Sequence, residues 1–226
     1  MGESHTCTII QRGNYRVVCI PVLQDNFVYL VCRGKHALVI DAGAVVPVLD
    51  YLRANNLYVC DVLLTHRHGD HAAGYAQLCR HISRDVAHSG LGPVEVLSLP
   101  GHTADDAGFY FPDAGVVFTG DCLINGACGR VLGGSIEDLY NSLQRIKRLP
   151  ADTLVLGGHD YLADNLRFGL DVDTGNPAIQ ARLARYASDP TGALFVPLAE
   201  EMASNPFLRA PDFAAFAALR ASKDRY

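Results

Sequence analysis

The chain has 226 residues, of which 49% are apolar and 19% are charged, so it can bury a full hydrophobic core. Its formal net charge of −5 argues against a nucleic-acid groove, because phosphate binding needs a surplus of Lys and Arg, whereas a small anionic ligand needs only a local basic cluster. The apolar runs are too short to cross a bilayer, and seven cysteines without paired spacing indicate reduced thiols in a cytoplasmic protein. Met1-Gly2 opens a short N-myristoylation pattern that often matches by chance.

Runs rich in β-branched residues predict a mixed α/β domain over residues 1–160. The predicted strands are 16–21, 27–32, 37–40, 59–65, 94–99, 108–111, 116–119 and 153–156. The predicted helices are 47–54, 72–82 and 136–149, the last with Ser135 as its N-cap.

The pattern changes after residue 160. Residues 162–170, 178–186 and 211–223 have helical spacing and are joined by loops that contain Pro and Gly. The sequence therefore predicts a small helical domain over 161–226 behind the α/β domain.

The strongest chemical signal is Thr65-His66-Arg67-His68-Gly69-Asp70-His71, which follows an apolar strand. Positions 66, 68 and 70 of an extended segment project to one side, and His71 begins the next helix. Imidazole and carboxylate groups together suit zinc, iron or manganese. The alternative is a polar loop that faces water, and four ligand-type side chains within six residues disfavour it.

Three later segments place a ligand-type residue after glycine at the end of a strand. They are Gly101-His102, Gly120-Asp121 and Gly158-His159. Glycine lets the backbone turn sharply and approach a site closely. One such residue is usually an ordinary surface side chain, but three of them favour a site shared with the first cluster.

This pattern resembles the metallo-β-lactamase superfamily, whose signature is T-H-x-H-x-D-H with later His, Asp and His. The resemblance implies an αββα sandwich and two metal ions. It assigns one metal to His66, His68 and His102, the other to Asp70, His71 and His159, and a bridging role to Asp121. Cys122 is the alternative bridging ligand, but adjacent residues of a strand point oppositely, so we expect a packed thiol. Asp41 is expected to orient a ligand histidine.

A narrower resemblance, to the hydroxyacylglutathione hydrolases or glyoxalase II enzymes, extends over nearly the whole chain. It is carried by residues 21–27, Cys128-Gly129-Arg130, Gly158-His159-Asp160-Tyr161, residues 205–209 and residues 219–224. It implies a cytoplasmic, monomeric enzyme of methylglyoxal detoxification that hydrolyses S-D-lactoylglutathione to D-lactate and glutathione.

The same resemblance implies roles for individual residues. Asp70 and Asp121 would orient the attacking hydroxide, and Arg130, Tyr161, Arg220 and Lys223 would bind the glutathione thioester. Arg220 and Lys223 stand at i and i+3 of the last helix, hence on one face. Their alternative role is that of solvated cations at a helix C-terminus.

The chain departs from the family pattern in three places. Val131, Leu132, Gly133 and Gly134 replace a segment with two aromatics, so Leu132 lacks the tyrosine hydroxyl expected to contact glutathione. The family often has Gly-His two positions after His102-Thr103, where this chain has Asp105-Asp106, and the stretch 83–93 is shortened. None of these changes removes a metal ligand, but together they put the preferred acyl group in question.

Three other functions are compatible with parts of this pattern. A persulfide dioxygenase on the same fold would use one iron ion and would not need His159 as a ligand. A hydrolase of another ester or a lactam is suggested by the altered loop at Leu132. A non-catalytic binding module is disfavoured, since buried His and Asp are costly without a metal ion.

Overall fold

The computed structural model describes residues 7–83 and 90–226; the Met1-Gly2 motif and most of the shortened 83–93 stretch lie outside them. The chain forms two compact units. The first extends to Glu95 and includes Tyr110–Ala114, and the second comprises Val96–Phe109 and Gly115–Tyr226. The predicted boundary between residues 160 and 161 falls within the second unit and stays a prediction.

The first unit contains a five-stranded sheet in the order β1-β2-β3-β4-β5. Its strands are Thr8–Arg12 (β1), Tyr15–Val22 (β2), Asn26–Arg33 (β3), His36–Ile40 (β4) and Tyr58–Leu63 (β5). Strands β1 to β4 pair antiparallel, and β5 joins β4 in parallel after the crossover helix Val46–Ala54 (α1). Val48, Leu49 and Leu52 of α1 belong to the buried apolar cluster of this unit. The sequence predicted all of these elements except β1.

The predicted helix over residues 72–82 is wrong. The chain instead forms two one-turn helices, Gly69–Ala72 (α2) and Tyr75–Leu78 (α3), and a 3₁₀ turn at Cys79–His81. Gly74 separates the two helices, because its N–H donates to the carbonyl of Ala42 at 2.7 Å and a Cβ there would lie 2.7 Å from that oxygen. This close approach to the end of β4 interrupts the helical ladder.

The second unit is built around a four-stranded sheet in the order β11-β8-β7-β6, with a short antiparallel pair β9-β10. The strands are Glu95–Ser98 (β6), Ala107–Phe111 (β7), Val116–Gly120 (β8), Leu123–Ile124 (β9), Ala127–Cys128 (β10) and Leu154–Gly157 (β11). Strand β11 pairs in parallel with β8 after helix Ile136–Ile146 (α4). Ser135 caps α4 as predicted, since its Oγ accepts from the N–H of Asp138 at 3.0 Å.

The rest of the second unit is helical, which confirms a helical C-terminal region. The helices are Leu162–Val172 (α5), Pro177–Ser188 (α6), Pro190–Leu194 (α7), Leu198–Ser204 (α8), Pro206–Arg209 (α9) and Phe213–Lys223 (α10). The three predicted helices correspond to α5, α6 and α10, whereas α7 to α9 are too short to show a helical period. No helix within the described ranges is both long and apolar enough to span a membrane.

Candidate metal centre

In the first unit, His66 and His68 follow the end of β5, and their imidazoles converge. Nε2 of His66 lies 3.1 Å from Nδ1 of His68. Two ligands of a tetrahedral zinc ion, each about 2.0–2.1 Å from the metal, lie about 3.3 Å apart. The spacing of these two nitrogens therefore fits coordination of one ion.

Asp70 and His71 form a second pair in the same unit. Both lie in helix α2, so Asp70 is not on the extended segment predicted from the sequence. Oδ2 of Asp70 is nevertheless 3.6 Å from Nε2 of His71, and Asn26 donates to the same oxygen from Nδ2 at 2.8 Å. The first helical turn thus brings these two ligand atoms together, and a buried amide orients the carboxylate.

Asp41 lies behind both pairs, as predicted. Its Oδ2 is 2.9 Å from Nδ1 of His71, and its two oxygens accept from the hydroxyl of Thr65 at 2.9 and 3.0 Å. Oγ1 of Thr65 in turn lies 3.2 Å from Nδ1 of His66. A neutral imidazole that donates from Nδ1 presents a lone pair at Nε2, which is the form that binds metal.

In the second unit, Asp121 lies between His102 and His159. Its Oδ2 is 3.6 Å from Nε2 of His102 and 3.2 Å from Nε2 of His159. All three side chains are buried. One carboxylate oxygen close to two imidazole nitrogens is the arrangement expected of a ligand that bridges two ions.

The backbone of the loop after β10 holds His102. Nδ1 of His102 donates to the carbonyl of Arg130 at 2.7 Å, and the N–H of Leu132 donates to the carbonyl of His102 at 2.7 Å. Gly129 donates its N–H to the carbonyl of Asp121 at 3.0 Å, and a Cβ at Gly129 would lie 2.1 Å from that oxygen. Glycine is therefore required where this loop meets the strand end that carries Asp121.

The neighbours of these ligands act as packing and turn residues. Cys122 is buried and burial raises the pKa of its thiol, which agrees with the predicted packed thiol. Asp106 is buried as well, and it accepts from the N–H of Thr103 at 2.7 Å. This bond fixes the turn after His102, so Asp106 has a structural use where the chain departs from the family pattern.

The hydrogen bonds of the predicted ligand histidines give a second reason to expect metal ions. His102 donates from Nδ1 to a carbonyl, so its neutral form points a lone pair from Nε2 toward the carboxylate of Asp121. His71 has the same relation to Asp70. Two acceptors that face each other repel, and a cation between them removes that repulsion.

The residues expected to bind substrate differ in exposure. The side chain of Arg130 is 67% exposed, and the half-exposed ring of Tyr161 stacks on His159 with centroids 4.7 Å apart. Lys223 is half-buried, with Nζ 5.0 Å from the centroid of Phe168, and this burial lowers its pKa.

Arg220 differs from these residues. It is only 3% exposed, and its guanidinium donates to the carbonyls of Cys128 and Gly129. The expected pair of exposed cations on one helix face is therefore absent at this position. Direct binding of substrate by Arg220 stays a prediction.

Comparison with known proteins places this geometry in a family. The metallo-beta-lactamase superfamily model matches residues 23–89 and 82–159, and the hydroxyacylglutathione hydrolase C-terminus model matches residues 160–226. The hydroxyacylglutathione hydrolase of Fuscovulum blasticum is 35% identical over 93% of this chain and 98% of its own length. The chain belongs to the hydroxyacylglutathione hydrolase family.

Other comparisons agree with this membership. The hydroxyacylglutathione hydrolase of Dechloromonas aromatica is 39% identical over 84% of this chain and 80% of its own length. The crystal structure of ETHE1 from Myxococcus xanthus, 22% identical, matches with a TM-score of 0.65 over 97% of this chain and 91% of that chain. TTHA1623 in a di-iron-bound form, 28% identical, matches with a TM-score of 0.52 over 62% of this chain and 90% of that chain. The predicted metallo-β-lactamase fold is confirmed.

Sequence reasoning missed several residues that support this hydroxyacylglutathione hydrolase site. Asn26 stands in the D-N-aromatic turn that carried the family resemblance, but its bond to Asp70 has no pattern of its own. The bond of Thr65 to Asp41 and that of the Arg130 carbonyl to His102 join residues far apart in the chain. For Thr65, the only sequence signal is a hydroxyl directly before the ligand-rich segment 66–71.

Proposed function

We propose that the chain is a binuclear metal-dependent thioester hydrolase that cleaves S-D-lactoylglutathione to D-lactate and glutathione. The observation that carries the proposal is Asp121, whose Oδ2 lies within 3.6 Å of Nε2 of both His102 and His159. The names of the relatives add the substrate class, since they are called hydroxyacylglutathione hydrolases.

The seven predicted ligands would hold two divalent metal ions. We assign one ion to His66, His68 and His102, the other to Asp70, His71 and His159, and the bridge to Asp121. Zinc suits the first set, which contains only imidazoles. The second set contains a carboxylate and suits iron or manganese in addition to zinc. The di-iron form of TTHA1623 supports iron as an alternative to zinc.

The chain's own residues would position the reactants. When bound, the ions would lower the pKa of a shared water to about 7 and polarise the thioester carbonyl. Asp70 and Asp121 would orient the water for attack on that carbonyl. Asp41 and the carbonyl of Arg130 hold His71 and His102 in the tautomer that leaves Nε2 as the ligand atom.

No separate general acid is required for the leaving group. A thiol has a pKa of about 8.5, so the glutathione thiolate leaves easily near neutral pH. This fits the second unit, where the buried thiol of Cys122 has a raised pKa and is a poor candidate for proton transfer at neutral pH.

The remote parts of glutathione would be bound by exposed groups. Glutathione carries two carboxylates, and Arg130 and Lys223 supply cations, while Tyr161 supplies a hydroxyl beside the ligand His159. Arg220 is retained as a predicted contact. The product chemistry would complete methylglyoxal detoxification, and we expect a cytoplasmic monomer that binds neither nucleic acid nor membrane.

The persulfide dioxygenase alternative is disfavoured by the buried His159–Asp121 pair, which a site with one iron ion would not need. A hydrolase of another ester or a lactam remains an alternative only because of Leu132. The names of the relatives and the match of the C-terminal family model disfavour it.

The direct test follows thiol release from S-D-lactoylglutathione with purified protein, alongside oxygen consumption with glutathione persulfide and hydrolysis of a β-lactam. We expect thiol release and no oxygen consumption. Oxygen consumption without thiol release would replace the proposal by the dioxygenase. Lys223→Met should raise KM far more than it lowers kcat, since Lys223 would touch only a remote carboxylate.

A further inference from the structure

Arg220 occupies a position that a simple substrate contact does not explain. It stands in the last turn of α10 with its side chain only 4% exposed. Its Nη1 donates to the carbonyl of Cys128 at 2.7 Å and lies 3.3 Å from that of Gly129, while Nη2 lies 3.0 Å from Oδ1 of Asp224. The guanidinium carbon also lies 5.3 Å from the ring centroid of Phe207. The positive charge of Arg220 is therefore paired largely with groups of the protein itself.

The two carbonyls belong to the loop that holds the metal ligands of the second unit. Gly129 donates its N–H to the carbonyl of Asp121, and the carbonyl of Arg130 accepts from Nδ1 of His102. One guanidinium bound to residues 128 and 129 thus restrains the backbone next to both the predicted bridging carboxylate and a predicted ligand histidine.

We propose that Arg220 is a positioning residue: it holds the loop of residues 128–130 so that His102 and Asp121 bind metal. This rests on the proposed function, since it presumes a metal site on those two residues. Binding of the glutathione carboxylates then falls mainly to Lys223 and Arg130. The C-terminal helical region would serve metal retention as well as substrate binding.

Lysine should not replace arginine here. The planar guanidinium reaches the loop carbonyls and Asp224 at once through a rigid fork, whereas an ammonium is a compact point charge on a flexible stem. Residues that orient metal ligands from behind typically change metal affinity about 10–100-fold when replaced. We expect a change of that size at Arg220.

The test titrates metal-free protein with zinc alone against a chromophoric chelator. Four variants accompany the wild type: Arg220→Lys, Asp224→Asn, Lys223→Met and Arg225→Met. Arg220→Lys should weaken binding of at least one zinc ion about 10–100-fold. Asp224→Asn keeps an acceptor for Arg220 but removes the negative charge of an exposed side chain, so the variant should fold and weaken zinc binding less than Arg220→Lys does. Arg225→Met, at an exposed neighbouring cation, should leave zinc binding unchanged.

Kinetics and thermal denaturation of the metal-free forms distinguish a positioning role from a substrate contact and from a merely structural role. A rise in KM for Arg220→Lys with zinc affinity equal to wild type would make Arg220 a substrate contact and overturn the inference. A lower melting temperature with unchanged zinc affinity would make its role merely structural and also overturn it. If Lys223→Met weakened zinc as much as Arg220→Lys, the effect would come from a general disturbance of helix α10 and not from the bonds of the guanidinium to the loop, which would overturn the inference. Wild-type protein that bound no zinc, iron or manganese would instead overturn the proposed function itself.

Discussion

Oδ2 of Asp41 lies 2.9 Å from Nδ1 of His71, and through Thr65 the same carboxylate reaches His66. One buried acid at the end of β4 therefore sets the tautomer of two predicted ligands. Asp41 has a φ of +62°, a conformation that Asp and Asn adopt more readily than other side chains. The position suits a residue that must both turn the chain and orient imidazoles.

Replacing Asp41 by Asn tests this link with little change in backbone preference. The amide is neutral and accepts at one atom only, so it cannot hold Thr65 and His71 as the carboxylate does. We expect metal affinity to fall about 10–100-fold, measured by zinc competition on metal-free protein. Asp50→Asn, at an exposed position of α1, is the control. Equal zinc affinity in the Asp41 variant and wild type would remove Asp41 from the metal site.

Asn26 tests the orientation of Asp70 in the same unit. Its Nδ2 donates to Oδ2 of Asp70 at 2.8 Å, so Asn26→Ala should let that carboxylate rotate and lower kcat about tenfold or more. Asn26→Asp should be worse, because two carboxylates would then face each other. Gln77→Ala, an exposed amide on α3, should have no effect. A wild-type kcat in Asn26→Ala would contradict an orienting role of Asn26.

Substitution of Leu132 tests whether the altered loop weakens the binding of glutathione. Its side chain is 56% exposed, and its own N–H is bonded to the carbonyl of His102, so the backbone is held whatever the side chain. Leu132→Tyr should restore a hydroxyl toward glutathione and lower KM about 2–10-fold, the value of one hydrogen bond. Leu132→Phe should leave KM near that of the wild type. The same gain with Phe would show that ring area, and not the hydroxyl, determines binding.

Ionisation of Tyr186 is expected to lower the stability of the fold at alkaline pH. Its hydroxyl donates to Oδ2 of Asp160 at 2.9 Å, and burial together with that carboxylate raises the pKa of Tyr186 to about 12 from 10.0. The folded state therefore prefers the neutral phenol. The stabilisation is complete below pH 10 and is lost as pH rises through about 12.

Tyr186→Phe should make the decline in the free energy of unfolding between pH 9 and pH 11 smaller. Urea denaturation at the two pH values measures it, and Tyr58→Phe, at an exposed tyrosine, is the control. A decline as steep in the Tyr186 variant as in the wild type would show that folding does not raise the pKa of Tyr186.

The sequence predicted most of the long elements because their apolar patterns are local. Helix α4 has Ser135 at its cap and Leu139, Leu143 and Ile146 on its buried face, which sequence spacing alone reveals. The helix over residues 72–82 was predicted incorrectly because Gly74 meets the backbone of Ala42, a contact between residues far apart in the chain.

The difference between local patterns and long-range contacts also applies to the candidate site. The ligand residues were named from their motifs, and Asp121 does lie beside His102 and His159. The family resemblance implies that Arg220 binds substrate, and helical spacing places Arg220 on the same face as Lys223. Spacing does not tell whether a long side chain turns outward or toward backbone carbonyls, and here it turns toward Cys128.

The most direct test of the central claim is elemental analysis of protein purified without chelators, wild type beside Asp121→Ala. The account predicts two ions of zinc, iron or manganese per wild-type chain and a clear loss of bound metal in the variant, because Asp121 would bridge the two ions. Wild-type protein without these metals, or a variant that retains both ions, would contradict it.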